Sequence, residues 1–159
     1  MNMILMLLQG TPLTYNGEEI GMTGMTDGKN LMDWTQVDEK ENLEDSSLKI
    51  YRQMTNLREN EAILFGATNI TVVDNTFVLS RVKKGNPGYL LISNFAEDGS
   101  DDTILNLQGI PNIAERGVLD IVVPKSDLPA LAVGNYVDLA KVSVPPNVSL
   151  LISFVPKFS

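Results

Sequence analysis

Acid–base chemistry in this 159-residue chain falls to carboxylates, because the sequence contains neither histidine nor cysteine. That removes the usual general base and metal ligand, and with them disulfides, thiolate nucleophiles and thiolate metal sites. Neither a metal nor a cofactor is called for. The carboxylates that draw attention are the adjacent Glu18 and Glu19, which leave a Gly- and Pro-punctuated stretch close to the amino terminus.

The elements around that pair follow from local chemistry. Gly10 and Pro12 end an apolar run, residues 13–15 favour a short extended segment, and Asn16-Gly17 closes it in a turn. The apolar run itself, residues 1–8, has no basic amino-terminal region, and Gln9-Gly10-Thr11 is a poor A-x-A cleavage site. It therefore reads as the second half of a buried helix rather than a leader. An apolar helix, a short buried strand and a polar loop make a β/α unit, and such a strand needs parallel neighbours. The expectation is that the chain is the carboxy-terminal part of a longer protein.

Residues 10–22, GTPLTYNGEEIGM, resemble glycoside hydrolase family 13, the α-amylase family. There an LPGTPxxYYGEEIGM-like segment forms the last strand of a TIM barrel and the loop after it. Asn16 in place of the second Tyr is most similar to the insect-type maltases. Residues 29–35, KNLMDWT, resemble a worn copy of the family's R-T-P-M-Q-W-D motif. Lys29 stands where the family has Arg, Leu31 where it has Pro, Asp33 where it has Gln and Thr35 where it has Asp, while Met32 and Trp34 keep their identity. Trp34 is read as a packing anchor that pins this loop to the barrel. Residues 47–64, SLKIYRQMTNLRENEAIL, are similar to the barrel's last helix.

The resemblance implies an oligosaccharide or disaccharide as substrate, cleaved by a maltase-like α-glucosidase with a nucleophilic and an acid/base carboxyl. All the catalytic carboxylates of the family precede the matched segment, so no catalytic residue is assigned in this chain. Glu18, Lys29 and Asp33 are the candidate substrate-binding residues, at the rim where barrel loops converge. Lys29 does not reproduce the planar fork of an arginine. The alternative is the ectodomain of a non-catalytic heavy chain of a heteromeric amino-acid transporter, which would bring a transporter light chain as partner. A third reading takes the chain as an isolated interaction module. For either parent the location is secreted or on the extracellular face of the plasma membrane.

Beyond the barrel motif, Asp45 or Ser46 is a good N-cap, and apolar residues at helical spacing predict a helix over residues 47–60. From Gly66 the period changes to two. Strands are predicted at residues 69–73 and 76–83, flanking the turn Asp74-Asn75, then at 89–95, 103–107, 118–123, within 136–144, and at 148–155. The fold class is thus α/β plus all-β: residues 1–65 as the end of a (β/α)8 barrel, residues 66–159 as an antiparallel Greek-key β-sandwich. A whole barrel needs about 250 residues, more than the 159 here. A net charge of −8 without a basic patch argues against nucleic acid as a partner. Asn69-Ile70-Thr71 and Asn147-Val148-Ser149 are glycosylation sequons.

Overall fold

A computed structural model describes residues 2–22, 34–41, 43 and 46–158. The helical part comprises α1 (Asn2–Leu7), α2 (Trp34–Glu41), α3 (Ser47–Leu57) and α4 (Glu61–Phe65). The strands are β1 (Ala67–Val73), β2 (Thr76–Val82), β3 (Gly88–Asn94), β4 (Thr103–Leu105), β5 (Arg116–Val123), β6 (Tyr136–Asp138), β7 (Val142–Val144) and β8 (Ser149–Phe154). Six of them form one antiparallel sheet in the order β1-β2-β3-β8-β5-β6, and β4 pairs with β7 in a second. The domain is mostly antiparallel sheet with few helices, and no barrel is formed among the described residues.

The period-2 reading finds its strands. The hairpin turn is Asp74-Asn75, with Asp74 at φ 50° and Val73 facing Thr76. Helix α3 starts from Ser46, whose hydroxyl accepts from the Lys49 N–H at 3.2 Å, so the serine is the cap. It stops at Leu57, three residues short of the expected end. Asn60 then opens α4.

Two expectations need correction. The polar loop contains the helix α2, and Trp34 stands at its first position with 70% of its surface exposed, so it is not buried against the described residues. Residues 13–15 enter no strand, and Leu13 and Tyr15 are 83% and 79% exposed. A strand exists only through a partner, and the described residues supply none there. The span 136–144, where strand was expected, does hold strand, as two short segments in different sheets.

Both faces of the large sheet are covered. Val78, Leu90, Ile92, Leu119, Leu150 and Ile152 face the β4–β7 pair and its loops, making the inner core. Leu79, Tyr89, Leu91, Ile121 and Leu151 face the helices, where Met3, Met6, Leu7, Met54 and Ile63 cover them. Asn94 ties the two sheets: its amide donates to the Val144 carbonyl (2.9 Å) and Thr103 Oγ1 (3.2 Å), and its oxygen accepts from the Ala96 N–H at 3.0 Å. No helix among the described residues is long and apolar enough to cross a membrane.

Candidate functional site

The predicted Asn16-Gly17 turn forms, and it holds the paired carboxylates apart. Gly17 has φ 94°, in the left-handed region that favours glycine. Glu18–Ile20 is a single 3-10 turn closed by Gly21, whose N–H donates to the Glu18 carbonyl at 3.0 Å. Glu19 folds back, its Oε2 accepting from the Gly17 N–H at 3.0 Å, and so serves its own turn. Ile20 is the buried anchor of the segment, and Lys40 of α2 donates to its carbonyl. Thr14 Oγ1 and the Tyr51 hydroxyl lie 2.9 Å apart, tying the stretch to α3.

Glu18 has a different setting. It lines a cavity of about 440 Å³ between the helical layer and the sheet, together with Tyr51, Met54, Ser93, Phe95 and Ser149. Ser93 and Ser149 hydroxyls are 2.9 Å apart across β3 and β8. Asn2 of α1 donates to the Glu18 carbonyl at 3.2 Å, fixing the turn over the cavity mouth. A smaller hollow of about 320 Å³ lies on the far side of Tyr51, lined by Tyr15, Glu19 and Arg52.

Among the described residues the larger cavity holds one carboxylate, whereas glycoside hydrolysis by a carboxyl pair needs two, about 5–10 Å apart. Lys29 and Asp33, the other candidate substrate-binding residues, lie outside the described residues. No group of three or more acidic side chains among the described residues is placed to hold a metal ion. Of the sequons, Asn69 lies half-buried on the edge strand β1, with Thr71 Oγ1 donating to its Oδ1 at 3.4 Å. Asn147 is exposed at φ 56°, its amide donating to Asp98 Oδ1 at 2.6 Å.

Three residues matter that sequence reasoning passed over. Arg58, just past the end of α3, donates to the carbonyls of Met6 (2.7 Å), Leu8 (3.2 Å) and Gly10, so it caps the end of α1. Arg81 is wholly buried and donates to the carbonyls of Ala62 and Ile63 at the end of α4. Asp120 interrupts the apolar run from Gly117 to Val123, and that interruption was the available signal.

No family model matches the chain, and no curated protein matches its sequence. Solved structures do match its fold. The ligand-free cyclic α-maltosyl-(1→6)-maltose hydrolase from Arthrobacter globiformis aligns over 97% of this chain with a TM-score of 0.62 and 20% identity, and 29% of that chain is covered. The pullulanase SAP of Group B Streptococcus aligns over 97% of this chain with a TM-score of 0.65 and 13% identity, and 27% of its own chain is covered. The chain thus spans under a third of the length of either, and at these identities the likeness is one of fold.

Proposed function

We propose that the chain is the carboxy-terminal part of an α-amylase-family α-glucan hydrolase, maltase-like in type, with residues 1–65 completing a (β/α)8 barrel and residues 66–159 the domain that follows it. The observation that carries this reading is the shared fold. A helical layer and an antiparallel sheet match, over 97% of this chain, two enzymes named for carbohydrate substrates, a maltosyl-maltose hydrolase and a pullulanase. The resemblance over residues 10–22 supports it from an independent direction, because those residues build the turn that places Glu18 in the lining of the larger cavity. Exposed Leu13 and Tyr15 are accounted for as a strand segment whose neighbours belong to the rest of the barrel.

In this reading Glu18, Lys29 and Asp33 contribute to the rim of a sugar pocket, and the bond-breaking carboxyls belong to the rest of the parent. Secretion, or display on the extracellular face, goes with the same proposal. The test is the longer protein that contains these residues, assayed with maltose and an aryl α-glucoside beside the 159-residue chain. The parent should turn over both and the short chain neither. Lys29→Arg in the parent should raise kcat/KM, about tenfold for each 1.4 kcal/mol of transition-state binding regained. A parent that hydrolyses no α-glucoside but co-purifies with an amino-acid transporter light chain would replace this reading with the heavy-chain one.

A further inference from the structure

From Gly117 to Val123, strand β5 (Arg116–Val123) is apolar except at Asp120, and its pairing with β8 is irregular at the same place. The register shifts between Leu119 and Ile121, which makes Asp120 the extra residue of a β-bulge. In a regular strand Leu119 and Ile121 would share a face. Here Leu119 and Val122 join the inner core, whereas Ile121 and Val123 join the cluster under the helices. Asp120 and Ile121 both line a cleft of about 400 Å³ on the helical side.

The rest of that cleft is built from fixed elements. Tyr89 and Ser153 are cross-strand partners on β3 and β8, α3 contributes Gln53 and Leu57, and Pro87 closes the rim. Ser153, on the neighbouring strand, favours the charged form of Asp120. Burial nevertheless holds the Asp120 carboxyl above the ordinary carboxylate range, against the lowering effect of Ser153. Tyr89 is pushed up by burial and by the charge of Asp120. Among the described residues Asp120 has no ion-pair partner. Asp120 is half-buried, so its carboxylate gives up part of its hydration with no counter-charge beside it, which costs stability. The cleft is separate from the Glu18 cavity: Tyr89 and Ser93 are four residues apart on β3, about 13 Å along the strand.

The lining alternates hydrogen-bonding groups with hydrocarbon. Asp120 offers an acceptor, Ser153 and Tyr89 hydroxyls, and Gln53 an amide, beside Leu57, Pro87, Ile121 and Leu151. That is the complement of a sugar ring, whose hydroxyls project at the edge and whose C–H groups cover the faces. We propose that this cleft is a second, non-catalytic binding site for a small neutral saccharide, with Asp120 accepting from vicinal hydroxyls and Gln53 closing over the ligand from α3. The inference rests on the carbohydrate reading of the protein.

The test is an amide NMR titration of the 159-residue chain with maltose, cellobiose and glucosamine. A neutral saccharide should give saturable shifts at Tyr89, Asp120, Ile121 and Gln53. Asp120→Asn should weaken binding about tenfold or more through loss of charge-assisted acceptance. Gln53→Ala, on an exposed position of α3, should weaken it severalfold without altering the melting curve. Cellobiose binding without maltose would keep the cleft as a saccharide site and remove the α-glucan assignment. The proposal is overturned if no neutral sugar shifts these amides, if only the cationic glucosamine does, or if both variants bind like the parent sequence.

Discussion

Replacing Arg81 by methionine tests how the helical layer is fastened to the sheet. Arg81 on β2 is wholly buried, and its guanidinium donates to the carbonyls of Ala62 (3.4 Å) and Ile63 and to Thr68 Oγ1. The two carbonyls belong to the last turn of α4, where intrahelical donors run out and the helix dipole is negative. Burial, followed by the nearby charge of Arg58, lowers the Arg81 pKa from its ordinary value, but an arginine starts high enough to stay charged. Arg81→Met keeps the apolar stem and removes every donor. Ala62 retains the Gly66 N–H at 3.0 Å, and Thr68, on the exposed edge strand, can turn to water. The Ile63 carbonyl is stranded, which costs about 1–3 kcal/mol, and the charged hydrogen bonds lost with it are worth about 1.5–3 kcal/mol each. Relief of the guanidinium's desolvation offsets part of this, leaving a net loss of about 2–4 kcal/mol. For a chain of this length that is a fall in Tm of about 5–15 °C. Urea unfolding followed by far-ultraviolet circular dichroism measures it directly. Arg81→Lys, which keeps the charge but not the fork, should recover less than half of the loss. A loss below about 0.5 kcal/mol, or a gain, would show that desolvation outweighs the bonds, and the clamp reasoning would fail.

Gly66→Ala should be among the most damaging small substitutions, for a reason that is not conformational. Its φ is an ordinary −74°, but an added Cβ would lie 2.1 Å from the Ala62 carbonyl oxygen and 2.8 Å from that of Val82, both backbone. A loss of about 3 kcal/mol in urea unfolding is expected, against under 1 kcal/mol for Gly109→Ala, where a Cβ meets open space. Asp120→Asn should change stability with pH in a defined sense. Because the folded carboxyl holds its proton more tightly than the unfolded one, the parent sequence loses stability as pH rises from below the ordinary carboxylate pKa through the raised folded value. The variant does not ionise, so its Tm relative to the parent should improve between acidic and neutral pH. A difference that is flat, or that grows in acid, would mean the carboxylate is not penalised by burial.

The strands were legible because their signals are local. Alternation begins at Gly66, turn residues separate the segments, and each predicted span contains an observed strand or pair of strands. What depends on contacts distant in sequence was not legible. Residues 13–15 have strand-forming chemistry, yet a ladder needs a partner that no local pattern supplies. Arg81, in TFVLSRV, sits at an alternate position that reads as solvent-facing, and only the arrival of α4 on that face makes it a buried clamp. The bulge at Asp120 is a relation between two strands and does not exist in either alone. At the site, the Asn16-Gly17 turn was readable from residue types, but the divergence of Glu18 and Glu19 arises from the tightness of the 3-10 turn and the return of Glu19 to the Gly17 N–H. The helix α2 was missed because WTQVDEKE offers almost no apolar stripe.

The change of period at Gly66 separates helical from strand segments, but the packing does not divide there. An antiparallel sheet with one wet face alternates apolar and polar residues, and β3 does not: all seven residues of GYLLISN are buried. The same holds for the centre of β8, where Leu150, Leu151 and Ile152 are successive core residues facing opposite sides. Leu79, Tyr89, Leu91, Ile121 and Leu151 owe their burial to α1, α3 and α4. At about 1.5–3 kcal/mol per large side chain, uncovering the five removes several kcal/mol, comparable with the whole stability of a small domain. Residues 66–159 expressed alone should therefore be β-rich but associate through this face, whereas the 159-residue chain keeps it covered. Size-exclusion chromatography with light scattering and a dye that reports exposed apolar surface would distinguish the two. A monomeric 66–159 fragment that melts as cooperatively as the full chain, with no dye binding, would show that the sheet does not need its helical cover.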